Sequence, residues 1–191
     1  MLTKTLLAAA ALAAAGLAQA EAATYAIDPT HTAAIFEAKH FNTSTVRGRF
    51  DKKEGTVTFD KAAKTGRVEI TFDMTAINTG VPALDTHLKS KDFFNAAEQP
   101  TAKFVGDKFS FDGAGKVTSV AGALTLAGKT QPLTLTAVNF NCYENPMLKR
   151  EVCGGDFETT IQRSQWGVSY GLQYGLPDNI HMLIQIEAVK Q

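Results

Sequence analysis

A serine motif typical of hydrolases occurs near the carboxyl end of the chain. Residues 167–171 read GVSYG, and Asp178 and His181 follow Ser169 in the Ser–Asp–His order of α/β-hydrolases. In those enzymes the serine occupies a strained turn between a strand and a helix of a parallel sheet. Here the chain ends at Gln191, 22 residues after Ser169, and those residues have the pattern of a loop and one strand. We expect no catalytic residue here, and a secreted serine esterase using Ser169 stays an alternative hypothesis.

A second set of acid–base groups lies in the segment DTHLKSKDFF, residues 85–94, which contains Asp85, His87 and Asp92. On a helix, residues two apart point to different faces, so Asp85 and His87 do not face each other. A carboxylate near a helix start can instead accept hydrogen bonds from free N–H groups and favour the helix dipole. We therefore expect a structural role for Asp85 and no acid–base catalysis by this set.

The two cysteines, Cys142 and Cys153, are the remaining groups with distinctive chemistry. In an oxidising compartment an even pair with ten residues between them is typical of a disulfide. Closing a loop of this size stabilises the fold by about 3 kcal/mol on the chain-entropy model. The alternative, a metal site, lacks nearby histidines, because these lie far off in sequence at positions 31, 40, 87 and 181. The sequence predicts a disulfide and no metal site.

The first twenty residues have the pattern of a cleaved secretory signal. Lys4 gives a positive start, Leu6 to Leu17 is rich in alanine and leucine, and AQA supplies the small residues of a cleavage site after Ala20, or nearly as well after Ala22. The apolar run is too short to span a bilayer, which needs about 20 residues. We expect a periplasmic protein, residues 24–191 forming one domain, without stable membrane insertion.

The charge of the chain is balanced, with 19 basic and 19 acidic residues. A protein that binds nucleic acid usually carries a basic surface, and no lysine- or arginine-rich stripe occurs here. Nucleic acid is therefore not expected as a partner.

Apolar and polar residues alternate with period two along most of the chain after residue 30. In TAAIFEAKH, for example, Ala34, Phe36 and Ala38 share one face, and seven or eight such runs are separated by turn sequences. No long helical pattern interrupts the strands, which disfavours a parallel sheet. The sequence predicts an all-β fold, an antiparallel lipocalin-like barrel of about eight strands.

The segment PALDTHLKSKDFF, residues 82–94, is the exception and predicts one short helix. Leu84 and Leu88 are four apart, so they share a face that continues to the adjacent Phe93 and Phe94. A barrel of about eight strands encloses packed side chains or one small ligand. Small residues expected on inward faces, Ala34, Ala38, Gly122 and Ala137, favour some empty volume. An apolar pocket is therefore expected.

Several of these stretches, taken in order, resemble the YceI-like family over about residues 24–188. They are IDPTHTAAIFEAKHF, VRGRF, GTVTFD, INTG, DTHLKSKDFF, QPTAKF, GALTLAGKTQPLTL and IQRSQWG. The resemblance implies a lipocalin-like barrel, exported in many bacteria, that holds a polyisoprenoid or another lipid, including isoprenoid quinones. No catalytic cofactor is implied, and the bound lipid, which includes a ubiquinone-like molecule among its candidates, is the ligand.

The resemblance also implies site residues at matching positions. Those expected in the pocket or at its mouth are Phe36, His40, Phe41, Leu84, Leu88, Phe93, Phe94, Phe104 and Trp166. Asp85 and Arg163 match polar positions that we expect to fix the geometry of the helix and a loop. The pair Cys142 and Cys153 departs from the family pattern, and we expect it to hold a loop or strand edge and to alter access to the pocket.

The sequence as a whole indicates a periplasmic carrier that holds an isoprenoid chain and catalyses no reaction. The esterase using Ser169 and a structural or interaction barrel with a filled core are the alternatives. Since a chain of about 40 carbons is longer than one small barrel, a homodimer that shares one ligand is a further expectation.

Overall fold

The structure is a computed structural model that describes residues 22–191, so the predicted signal peptide, residues 1–20, lies outside the described residues. Within them the strands are β1 (Ala23–Ile27), β2 (Ala33–His40), β3 (Ser44–Phe50), β4 (Lys53–Asp60), β5 (Thr65–Asp73), β6 (Ile77–Asn78), β7 (Thr101–Phe111), β8 (Val117–Leu126), β9 (Lys129–Asn145), β10 (Arg150–Gln162) and β11 (Asn179–Lys190). The α-helix is α1 (Pro82–Lys89), and short 3-10 turns occur at Met74–Ala76, Arg163–Trp166 and Leu172–Tyr174.

Eight of these strands close into an antiparallel barrel. The order around the ring is β1, β4, β5, β7, β8, β9, β10 and β11, and β11 pairs again with β1. The predicted all-β barrel with one short helix is confirmed. Closure leaves the strands of the ring without a free edge.

Strand β2 takes the place of β1 along the other half of β11. Ala188 of β11 lies opposite Ile27 of β1, whereas Met182 lies opposite Phe36 of β2. Strands β3 and β6 then extend this sheet from β2. Beside residues 181–185 of β11 the barrel wall is therefore continued by β2 rather than by β1.

Period-two alternation positions the core, as the sequence predicted. In β5, Val68, Ile70 and Phe72 are buried, and the residues between them are partly exposed. Full burial of such a side chain contributes about 1.5–3 kcal/mol, so the alternating face determines which side of each strand turns inward.

The helix is shorter than the predicted segment, 82–94. It begins with Pro82, whose missing N–H needs no partner in the first turn, and it ends at Lys89 because Ser90 is extended. Residues 91–94 form turns in which the Phe94 N–H donates to the Leu88 carbonyl. These turns still bring the two phenylalanines to the same side as the leucines of the helix.

The two ends of the barrel differ in their connections. The β2–β3 turn, residues 74–100 with α1, the β8–β9 turn and the loop at 163–178 lie at one end, which we call the helix end. The β4–β5, β7–β8 and β9–β10 turns lie at the opposite end. The helix end therefore carries the long connections of the fold.

The disulfide joins Cys142 of β9 to Cys153 of β10, which are direct partners in the ladder with a Cα–Cα distance of 4.1 Å. It crosslinks the β9–β10 hairpin near the end of the barrel opposite α1. The predicted pairing is confirmed, and the expectation that it holds a loop or strand edge stays a prediction.

Candidate ligand-binding site

An apolar cavity of about 400 Å³ opens inside the barrel at the helix end. Ligand cavities are usually about 300–1,000 Å³. Its walls come from inward residues of the strands, for example Ile180, Met182 and Ile184 of β11, and from α1 and the loop at 163–178. The alternation in β11 that the sequence displayed thus produces one wall of the cavity.

Seven of the nine predicted pocket residues line this cavity: Phe36, His40, Leu84, Leu88, Phe93, Phe94 and Phe104. The other two lie outside its lining. Phe41 is 50% exposed and packs edge-on against the His40 ring at the rim. Trp166 is 2% exposed, and its Nε1 donates to the Leu124 carbonyl at 2.9 Å, so its indole fills the wall behind the cavity. Contact of any of these residues with a ligand stays a prediction.

Two of the four small residues that were expected to leave empty volume line the cavity, and two do not. Ala34 and Ala38 line the cavity. Gly122 and Ala137 do not. At Gly122 an added Cβ would lie 2.0 Å from the Val105 carbonyl oxygen, so this glycine allows two strands to approach closely beside a bulge.

A row of phenylalanines connects the wall to the helix segment. Phe50 packs against Phe36, Phe72 and Phe94 with ring centroids 6.2, 6.0 and 6.3 Å apart. Tilted and edge-on pairs at these distances are favourable. Phe50 and Phe72 also line the cavity but were not among the predicted site residues, although both follow strand alternation.

The carboxylate of Asp85 orders the loop before α1. It accepts hydrogen bonds from the Thr79 N–H at 2.8 Å and the Thr79 hydroxyl at 2.6 Å. The expectation that it caps free N–H groups of the helix was wrong. Its carboxylate is turned back to Thr79, which precedes the helix, and the cap residue, Val81, makes no side-chain hydrogen bond to the helix. Asp85 therefore fixes the entry of the chain into the helix.

The ring of His87 forms part of an aromatic contact across the helix end. Its Nε2 lies 3.0 Å from Asp92, and its centroid lies 5.0 Å from both Phe93 and Tyr170. Tyr170 belongs to the loop at 163–178, so this contact joins the loop to the helix segment. His87 does not line the cavity, which gives an acid–base role no support.

The guanidinium group of Arg163 is the buried charge of the site. It is 7% exposed and lines the cavity beside Phe93, with its Cζ 5.9 Å from the ring centroid. Its Nε donates to the Pro177 carbonyl at 2.8 Å and its Nη1 to the Val168 carbonyl at 2.9 Å, which anchors the loop over the cavity. Burial lowers the pKa of Arg163, and the charge of Asp178 offsets part of that effect.

The loop at 163–178 supplies lining residues that sequence patterns did not predict, namely Val168, Leu176 and Pro177. It has no period-two or helical repeat, and it turns repeatedly at Gly167, Gly171 and Gly175, which have φ of 81°, 78° and 92°. The glycines were visible in the sequence, but the direction of each turn was not.

The GVSYG segment lies within this loop and does not form a nucleophile elbow. Ser169 is exposed, and Asp178 accepts hydrogen bonds from the N–H and hydroxyl of Ser164 at 2.8 and 2.7 Å. His181 lies 3.2 Å from Glu37 on another strand. Because the acid and the histidine have other partners, the geometry gives an esterase using Ser169 no support.

A smaller chamber of about 70 Å³ lies deeper in the barrel. It shares Ile70, Phe104, Leu135 and Ile184 with the main cavity, so these four side chains separate the two spaces. Further from the helix end, Phe59 lies 5.9–6.1 Å from the rings of the three phenylalanines Phe109, Phe111 and Phe140. These rings fill the end opposite the helix.

The disulfide borders the small chamber through Cys153, and neither cysteine lines the main cavity. The expectation that the pair alters access to the pocket finds no support at the helix end. Within residues 22–191, the side chains close enough to share a metal ion are Cys142, Glu151 and Cys153, and their two sulfurs form the disulfide.

In the part of the chain that the structure describes, no helix is both long enough and apolar enough to cross a membrane.

Comparison with known proteins agrees with this geometry. A model of the YceI-like domain matches residues 25–188. A UPF0312 protein of Pseudomonas aeruginosa is 32% identical over 197 residues, covering all of both chains. The solved structure of Burkholderia cenocepacia BcnA superposes with a TM-score of 0.70 at 23% identity, covering 85% of this chain and 99% of that one. A polyisoprenoid binding domain of Saccharophagus degradans, implicated in plant cell wall breakdown, superposes with a TM-score of 0.62 at 13% identity over 90% and 100% of the chains.

Proposed function

Because the chain belongs to the YceI-like family, we propose that it is a carrier that holds an isoprenoid lipid inside its barrel and catalyses no reaction. The apolar cavity at the helix end carries this proposal, since about 400 Å³ of space lies among phenylalanine and aliphatic side chains. The polyisoprenoid binding domain of Saccharophagus degradans shares the fold, which supports the same ligand class here. Isoprenoid quinones belong to this class.

The energetics of binding set a requirement on the ligand. Transferring on the order of ten methylene groups from water into the cavity contributes about 8 kcal/mol. Association costs about 4–15 kcal/mol for lost translation and rotation. Binding therefore requires an extended apolar chain in close contact with the wall.

Residues 1–20 would direct the chain to the periplasm, where an isoprenoid lipid needs protection from water between membranes. In this role the loop at 163–178 and the helix segment would together cover the entrance.

Binding to the delipidated mature protein tests the proposal. The apolar dye N-phenyl-1-naphthylamine should show saturable fluorescence enhancement, and geranylgeraniol should displace it at one molecule per barrel. Absence of saturable binding by both molecules after delipidation would favour a structural barrel with a filled core.

A further inference from the structure

The apolar cavity is bordered by a buried positive charge, the guanidinium group of Arg163, which a pocket for a hydrocarbon chain alone does not require. Arg163 is 93% buried, and its side chain lies among the lining residues of the cavity. Moving an ionised group out of water is costly unless hydrogen bonds and an opposite charge compensate it. The partners of this guanidinium therefore determine whether its charge is compensated.

The protein compensates Arg163 only in part. Two of its three nitrogens donate to neutral carbonyls, those of Pro177 and Val168. Among residues 22–191 no carboxylate lies within ion-pair distance, 4.0 Å, of the guanidinium, and the carboxylate of Asp178 is held by Ser164. The third nitrogen, Nη2, has no protein acceptor in this part of the chain.

The free nitrogen retains contact with open space. Every completely buried side-chain nitrogen or oxygen of the described residues has a hydrogen-bond partner. Since Nη2 has none, it is not completely buried, and the cavity is an open space that the Arg163 side chain borders.

The charges around the cavity have one sign. Lys39 and Arg163 are the charged residues among those that line it within residues 22–191, and no aspartate or glutamate does. Lys39 is exposed, so it lies at the rim, whereas Arg163 is buried beside Phe93. The charged residues of the lining are therefore all positive, and an anion is the group that they favour.

We propose that Arg163 binds the anionic head group of the lipid, a carboxylate or a phosphate, through its free Nη2. This inference rests on the proposed carrier function and adds the head group and the orientation. The head group lies at the helix end beside Phe93, and the chain extends towards Phe104 and Leu135 at the partition. Nε and Nη1 hold the loop, so one side chain both shapes the entrance and selects the ligand.

A neutral head group such as a quinone ring would accept the same hydrogen bond but would leave the guanidinium without an ion-pair partner within 4.0 Å. A guanidinium hydrogen bond is charge-assisted with either acceptor, but a carboxylate or phosphate adds a Coulomb attraction that a neutral oxygen lacks. An acid is therefore expected to bind more tightly than a neutral lipid with the same chain.

Phytanic acid and its saturated alcohol, phytanol, provide the test, because they share one branched saturated chain and differ in the head group. At about pH 8, where a carboxyl group is ionised, both displace N-phenyl-1-naphthylamine from the delipidated mature protein. The acid should bind about tenfold to a hundredfold more tightly than the alcohol. Arg163→Met should abolish this preference, and Arg163→Lys should keep part of it. Lys108→Met, at an exposed lysine outside the cavity lining, should change it by less than about threefold.

The comparison on the unmodified protein decides the question even if Arg163→Met does not fold. Equal affinity for acid and alcohol would overturn the role of Arg163 and leave the carrier proposal intact. Failure of both lipids to bind would overturn the carrier proposal itself, and this inference with it.

Discussion

The helix that borders the cavity offers a sharp perturbation. Leu84 and Ala83 are neighbours on α1, but Leu84 is half-buried against the cavity and Ala83 is exposed. Leu84→Asp removes an apolar contact of about 1 kcal/mol at this degree of burial and places a carboxylate against the ligand chain, at a cost of several kcal/mol. A total of at least about 3 kcal/mol weakens lipid binding by about a hundredfold or more.

The assay is displacement of N-phenyl-1-naphthylamine by geranylgeraniol, with far-UV circular dichroism and the fluorescence of the buried Trp166 as measures of folding. Ala83→Asp adds the same charge one residue away and faces solvent near the helix start, so it should bind as the unmodified protein does. If folded Leu84→Asp and Ala83→Asp proteins bind geranylgeraniol with equal affinity, the assignment of the cavity as the binding site is wrong.

The remaining predictions concern stability. Removing the disulfide by Cys142→Ala with Cys153→Ala should lower the free energy of unfolding by about 2–3 kcal/mol in urea, and reduction of the unmodified protein should lower it similarly; identical unfolding of the oxidised and reduced proteins would contradict this. Burial alone would raise the pKa of the Asp28 carboxyl group. Hydrogen bonds from His31 and Thr30 outweigh this effect and lower the pKa of Asp28 to about 2. Because this pKa lies below the usual value of 3.8, the stabilisation is present above about pH 4 and is lost as the pH falls through about 2. The side chain is 21% exposed, so Asp28→Asn should cost about 1–2 kcal/mol at neutral pH and flatten the loss of stability in acid. Parallel urea midpoints of variant and unmodified protein between neutral pH and pH 3 would exclude this role.

The barrel could be predicted from the sequence because burial of one face dictates a period-two pattern. Val68, Ile70 and Phe72 of β5, for example, are alternate residues of the sequence and are all buried. The exchange of β1 for β2 along β11 could not be predicted, since a period-two pattern does not specify which strand is the neighbour.

The site could be predicted only in part, for two physical reasons. Leu84 and Leu88 were found because helical spacing places them on one face. Phe41 and Trp166 were wrongly placed in the lining, because the sequence does not distinguish an aromatic residue that lines a cavity from one at its rim or one buried in its wall. The loop residue Leu176 was missed because glycine turns with positive φ, rather than a periodic pattern, position it.

Mass spectrometry of an organic extract tests the carrier function most directly. The mature protein would be purified from the periplasm without detergent and compared with the Leu84→Asp protein prepared in parallel. We expect one polyprenylated molecule per barrel in the unmodified protein and little or none in the variant. A barrel that carries no lipid, and that also fails to take up an isoprenoid quinone or phytanic acid on soaking, would contradict the carrier function.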